Sequence, residues 1–186
     1  IEHIKDNIIR TAELNLPFYA AHAGFCLDPK ISSLGKIISV NKKIDRSRNT
    51  NIFLESLTQL VSFAIENGVV FLMENNVLSK NNFDKNNNQN IFLCTDSKEI
   101  IMVLNEVNSI NFGLLLDTAH LKVSSTTLKK NLLEEASRLL PFTKAVHHSE
   151  NDGLSDSNLK LNENYWFLQY MKDLKNIYHV IEVKNI

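Results

Sequence analysis

Cysteine is scarce. The two present, Cys26 and Cys94, are too few for a disulfide framework, and their spacing matches no metal-binding pattern. That scarcity fits a reducing compartment, and we expect a cytoplasmic protein. A surplus of basic charge is also lacking, because 20 Lys and Arg face 21 Asp and Glu for a formal net charge of -1. Without a positive field to hold a phosphate backbone, nucleic acid is not an expected partner. No apolar run approaches the ~18 to 20 residues that cross a bilayer, and no signal-peptide pattern opens the chain, so no membrane role is expected. An initiating methionine is missing too: the chain opens on Ile1, as a fragment or trimmed chain would. What is present is apolar material, 44% of residues against 22% charged, enough for one domain over residues 1–186.

Apolar periodicity divides the chain into alternating elements. Ile1, Ile4, Ile8 and Ala12 repeat at helical spacing until Pro17, and "FYAAHAG" (18–24) then reads as a strand. A polar stretch with Pro29, Gly35 and the basic group Lys42, Lys43, Arg46 and Arg48 reads as an extended, solvated loop. Phe53, Leu57, Leu60, Val61 and Ala64 form one face of a helix over 51–67, which Gly68 is placed to end. "VVFLMENN" (69–76) is a buried strand that finishes on Glu74, and the asparagine-rich 81–90 reads as a loop. Asp96 with Glu99 resembles a capping box ahead of another helix. "NFGLLLDTAH" (111–120) is a strand ending on Asp117, a helix spans Leu128 to Leu140, and "KAVHHSENDG" (144–153) is a strand carrying histidine at its end. A helix over Tyr165 to Leu174 precedes the last strand, "YHVIEVKN" (178–185), with Glu182. Trp166 reads as packing of that helix on the sheet.

Strands apolar on both faces, alternating with helices, predict an α/β fold with a parallel sheet covered by helices. In a parallel (β/α) barrel of the TIM type, side chains at the carboxyl ends of separate strands converge on one mouth. Glu74, Asp117, His147 and Glu182 occupy such ends in successive strands. Strand parity sets them on one face: Glu74 with Leu72 and Val70, Asp117 with Leu115 and Gly113, His147 with Ala145, Glu182 with Val180. His148 then points toward the helices, and with His3 and His179 it is assigned to packing or surface. Taken singly, Glu74 reads equally as a strand-end carboxylate in a salt bridge, and His120 or His22 as a structural histidine. Three carboxylates and one imidazole together make a hard site suited to one divalent ion, Mn²⁺, Mg²⁺ or Co²⁺. Glu74 and Glu182 are then placed to take a proton from one face of a carbon and return one from the other. Glu150, Asn151 and Asp152 follow a ligand strand directly and border the site.

At these residues the sequence resembles the xylose isomerase-like barrels, which include sugar phosphate isomerases, ketose 3-epimerases and endonuclease IV. The resemblance runs from "AHAG" through "MENN", "LLDTAHLKVS" and "VHHSENDG" to "VIEVKN". By that resemblance the metal ligands are Glu74, Asp117, His147 and Glu182, the set that parity selects; His120 contacts substrate hydroxyls and His22 lines the mouth. It implies a divalent-metal-dependent isomerase or epimerase acting on a small-molecule sugar or sugar phosphate, with a homo-oligomer left open. A full barrel has eight strands in about 250 residues, whereas this chain offers five, so the expected fold is an incomplete barrel lacking the first strands, 1–186 being strands four to eight. The family's epimerases often carry an arginine shortly after this segment; here Gly153 follows Asp152. Two other functions compete. An apurinic endonuclease of the same family needs three zincs and further histidines, and none occurs between Asp152 and Tyr178. A non-catalytic barrel relative would bind a ligand or partner without turnover.

Overall fold

The runs Val70–Glu74 and Phe112–Asp117 are buried at every residue except Val70, which is half-buried. Strands apolar on both faces must lie between two apolar layers, as they do in parallel sheets. A computed structural model describes residues 1–33, 36–40 and 43–184; Gly35, Lys42 and Asn185, which the sequence reading placed in loops and in the last strand, lie outside them. Five strands run parallel in chain order: β1 (Phe18–His22), β2 (Val70–Glu74), β3 (Phe112–Asp117), β4 (Thr143–His148) and β5 (Tyr178–Ile181). Between and before them lie α1 (Glu2–Glu13), α2 (Arg46–Glu66), α3 (Lys80–Lys85), α4 (Ser97–Val107), α5 (Thr118–Leu128) and α6 (Leu132–Leu139). The sheet curls strongly. β1 and β5 stand at opposite ends of the strand order, yet the rings of Phe18 and Tyr178 are 5.2 Å apart. The fold is therefore a half-barrel of five parallel strands, an incomplete TIM barrel, as anticipated.

Alternation along the strands makes two cores. Leu72, Leu115 and Ala145 meet Phe18, Ala20 and Val70 on the inward face. Outward, Phe71, Met73, Leu114, Leu116 and Val146 pack with Leu57, Val61, Ile100, Val103 and Ala136 of the helices. Burial of this kind stabilises by roughly 25 cal/mol per Å² of apolar surface. Among the described residues no helix is long and apolar enough to cross a membrane.

Several local expectations are corrected. α2 begins at Arg46 rather than in the fifties because Asp45 caps it, accepting from the Arg48 N–H at 3.0 Å. Arg46 and Arg48 thus belong to a helix rather than to a loop. Gly68 ends α2 with φ +70°, as expected. The asparagine-rich stretch is no plain loop: it holds α3, and Asn82, Asn86 and Gln89 accept from the backbone N–H groups of Ile38, Val40 and Ile44 at 2.8, 2.8 and 3.1 Å. Among the described residues these backbone groups belong to no strand, and the amides satisfy them. The helix expected over 128–140 is α6, Leu132–Leu139, followed by a tight turn at Leu140–Phe142; Leu128 instead ends α5, and Lys129 with φ 55° separates the two. The helix expected over 165–174 is a tight helical turn at Trp166–Tyr170, and β5 stops at Ile181. Asp96 caps α4 by accepting from Glu99 N–H at 3.0 Å. The Glu99 carboxylate turns to Arg46 and the Cys94 N–H instead of completing the box.

Candidate metal centre

Parallel strands deliver their carboxyl ends to one side of the sheet. β2 and β3 end on Glu74 and Asp117, β4 carries His147 as its penultimate residue, and Glu182 follows β5 directly. Register does the rest. His22 lies beside Glu74, Asp117 beside His147, and His147 beside Val180. One donor atom from each of Glu74, Asp117, His147 and Glu182 falls within 4.8 Å of the others. His147 Nδ1 sits among them, 3.1 Å from Glu182 Oε2, 3.4 Å from Glu74 Oε1 and 3.9 Å from Asp117 Oδ2. That nitrogen is buried and aligned for a hydrogen bond with none of them. Glu74 and Asp117 are buried, whereas the Glu182 side chain is 47% exposed, so the cluster opens on the β5 side.

Asp117 is held from both sides. The Asn75 amide extends the strand pairing past its last residue: its Oδ1 accepts from the Asp117 N–H at 2.7 Å and its Nδ2 donates to the Asp117 carbonyl at 3.1 Å. Asp117 Oδ1 caps α5 by accepting from His120 N–H at 2.8 Å, which leaves Oδ2 for the cluster. Burial pushes the Asp117 carboxyl up to about 6, although His120 draws it down. For Glu74 burial also acts upward, but His147, His22 and His120 outweigh it and hold the carboxyl below its ordinary range. The His147 ring goes the other way: burial lowers it, and Glu74, Glu182 and Asp117 raise it above the usual value.

His120 donates from Nδ1 to the Asn75 carbonyl at 2.8 Å, and its Nε2 lies 3.4 Å from Asp156 Oδ2. Burial would depress this imidazole, yet Asp156, Asp117 and Glu74 push it up to about 9. The His22 ring is 5.6 Å from that of His120, its Nδ1 is 3.9 Å from Glu74 Oε2, and its side chain is 57% exposed at the rim. His22, Glu74 and His120 form a second set whose donor atoms lie within 4.8 Å of one another.

The segment after β4 is tied down largely by its own hydrogen bonds. Glu150 is taken by Lys122 and the Asn151 N–H, and the Asn151 amide bonds the Ala119 carbonyl and Gly153 N–H. Asp152 is exposed and accepts from Leu154 and Ser155. These three residues order their own loop; among the described contacts none reaches the four-residue cluster. Asp156, which the sequence reading passed over, reaches His120 because Glu150 and Leu159 pair backbone to backbone and fold the loop over the mouth. No local pattern marks it out from the other acidic residues of "SENDGLSDSN". His148 points outward, as parity requires: its Nδ1 is 2.9 Å from the Tyr165 hydroxyl and its Nε2 2.8 Å from His179 Nδ1. Burial, with His179 and His147 nearby, depresses it to about 4.

A parallel half-barrel with carboxylate and imidazole side chains gathered at the carboxyl end of its strands defines a class of TIM-type barrels. Within that class the chain belongs to the xylose isomerase-like TIM barrel family, whose pattern matches residues 1–182. No curated protein sequence matches it. Among solved structures it is similar to a D-tagatose 3-epimerase-like protein, with TM-score 0.73 and 22% identity over 98% of this chain and 61% of the other. It is also similar to the D-psicose 3-epimerase of Clostridium cellulolyticum H10, solved with D-tagatose, with TM-score 0.66 and 17% identity over 96% of this chain and 54% of that one. An L-ribulose 3-epimerase matches with TM-score 0.66 and 14% identity, over 99% and 54% of the two chains. This chain thus spans between 54% and 61% of the length of these relatives.

Proposed function

We propose that Glu74, Asp117, His147 and Glu182 hold one divalent cation, Mn²⁺, Mg²⁺ or Co²⁺, in a sugar or sugar-phosphate isomerase or epimerase. The observation that carries this reading is the gathering of His147 Nδ1 with carboxylate oxygens of Glu74, Asp117 and Glu182 at 3.1 to 3.9 Å, one donor atom from each residue lying within 4.8 Å of the others. Three carboxylates so close repel one another, and a cation among them removes that repulsion. Hard oxygens with one imidazole suit these ions better than a structural zinc. When bound, the ion supplies Lewis-acid polarisation of a carbonyl and a fixed seat for neighbouring sugar oxygens.

The proton work falls to the chain's own residues. Glu74, held ionised by the surrounding histidines, is ready to accept a proton at its carboxylate. Glu182 reaches the cluster from beyond β5, on the far side of His147, and is placed to return one. Return to the same carbon is epimerisation; return to its neighbour is isomerisation. His120 and His22, facing the same mouth, are donors for substrate hydroxyls. The names of the similar structures make ketoses the first substrates to try. The buried free thiols of Cys26 and Cys94 support a reducing, cytoplasmic setting.

The test is metal stoichiometry by calorimetry after Mn²⁺ loading, with Glu182→Gln and His147→Ala beside the parent. One ion per chain, weakened in both variants, is expected, followed by solvent deuterium entering a ketose. No binding, or binding indifferent to both changes, removes the catalytic reading. A second reading, a phosphodiesterase with more than one metal, is favoured by the additional His22, Glu74 and His120 set. It predicts two or more zinc ions per chain in the same titration.

A further inference from the structure

Behind the cluster, on the outward side of the sheet, lies a hydrogen-bonded chain that the proposed chemistry does not use. The Tyr165 hydroxyl is 2.6 Å from Thr118 Oγ1 and 2.9 Å from His148 Nδ1. Thr118 follows Asp117 in sequence and His148 follows His147, so one phenol oxygen touches the residue after each of two cluster members. All three partners are buried: Thr118 is 0% exposed, and Tyr165 and His148 are each 3% exposed.

The contacts continue to both neighbouring strands. Thr118 Oγ1 is 3.0 Å from the His147 carbonyl, joining the end of β3 to that of β4. His148 Nε2 meets His179 Nδ1 of β5 at 2.8 Å, and the His148 carbonyl accepts from the Glu182 N–H at 3.0 Å. Donor direction follows from the far end. The Leu174 carbonyl can only accept, so His179 Nε2, 2.9 Å away, carries a proton. From that end His148 Nε2–H donates to His179 Nδ1, the Tyr165 hydroxyl donates to His148 Nδ1, and the Tyr165 oxygen is left to face Thr118, whose single proton serves both that oxygen and the His147 carbonyl.

We propose that Tyr165 is a positioning residue of the metal centre, its hydroxyl fixing through Thr118 and His148 the spacing of Asp117, His147 and Glu182. A phenylalanine there would fill the same space among His148, Trp166 and Phe167. The hydroxyl is what links the strand ends. This rests on the metal-site reading above. Outer partners of this kind, when removed, typically weaken metal binding about 10- to 100-fold.

The experiment measures Mn²⁺ affinity by calorimetry and the visible spectrum of the Co²⁺ form, on the full chain and its variants. Tyr165→Phe is expected to raise the Mn²⁺ Kd by at least about 10-fold and to shift the Co²⁺ bands. Thr118→Val should do the same, Thr118→Ser should keep parental affinity, and the Tyr165→Phe/Thr118→Val pair should bind no worse than the weaker single variant. Val61→Ala, which opens a cavity under α2, lowers Tm without moving either metal readout. Parental affinity in Tyr165→Phe, or an equal loss in Val61→Ala, overturns the positioning role while the metal site stands. A parent chain that binds no Mn²⁺ overturns the metal reading and this inference with it.

Discussion

Replacing Arg46 by methionine probes the joint between α2 and the segment that leads into α4. Arg46 Nη2 lies 2.8 and 2.6 Å from the two Glu99 oxygens, and the guanidinium also donates to the carbonyls of Asn90 and Phe92 at 2.8 and 2.9 Å. Glu99 accepts in addition from the Cys94 N–H at 2.6 Å, and its side chain is 14% exposed against 36% for Arg46. Methionine keeps much of the apolar stem and removes the charge. Truncating one partner of a fully buried pair costs about 3–5 kcal/mol; partial solvent access to this one reduces the expected loss to about 2–3 kcal/mol. The sign of the pH dependence follows from Glu99. Burial holds its carboxyl above the ordinary value although Arg46 pulls it down, so without Arg46 it rises further. A raised folded value means that the fold binds the extra proton, and stability from this group is lost as pH rises through that value. The deficit of Arg46→Met relative to the parent is therefore largest at neutral pH and shrinks toward about pH 5. Urea denaturation followed by circular dichroism across that range measures it, and Glu99→Gln added to Arg46→Met should recover part of the loss. A deficit that ignores pH, or a double variant no more stable than Arg46→Met, refutes the reasoning.

Three further substitutions test other parts of the structure. The buried Asn76 amide is 2.9 Å from each of the carbonyls of Ala23, Gly24 and Leu93. Asn76→Ala leaves those carbonyls short of donors and should cost about 2–4 kcal/mol in urea midpoint terms; Asn76→Asp, with no N–H, should be no better. At Gly113 a Cβ would lie 2.6 Å from Lys144 Cδ, so Gly113→Val must displace a side chain that bonds the Ile110 carbonyl. We expect about 1–3 kcal/mol of destabilisation, relieved when Lys144→Ala is added; no relief would place the strain elsewhere. Leu114→Ala removes a fully buried side chain from the outward core and should cost about 2–5 kcal/mol with an unchanged denaturant slope.

Alternation within a strand is a property of neighbouring residues, and it was legible in the sequence. Val70, Leu72 and Glu74 share a face because successive Cβ atoms point to opposite sides, and the inward cluster of Leu72, Leu115 and Ala145 lies where that rule puts it. The strand ends at Glu74 and Asp117, the stop at Gly68 and the outward turn of His148 were readable for the same reason. α5 was not. "TAHLKVSSTTL" is rich in residues with weak helix propensity, and it is helical because Asp117 caps it and its face is buried against the sheet. Arg46, Asn82 and Asn86 looked like solvated polar residues, and their partners lie 53, 44 and 46 residues away. Asp156 was passed over for Asp152 because only the pairing of Glu150 with Leu159 decides which of the two carboxylates reaches His120. The sequence by itself determined the strands, their inward faces and the residues at their ends, since these depend on local stereochemistry and on which side chains avoid water. Only the tertiary structure decided which polar atoms meet across loops and between strands, because a hydrogen bond is set by a position within a few tenths of an ångström and that position belongs to the whole fold.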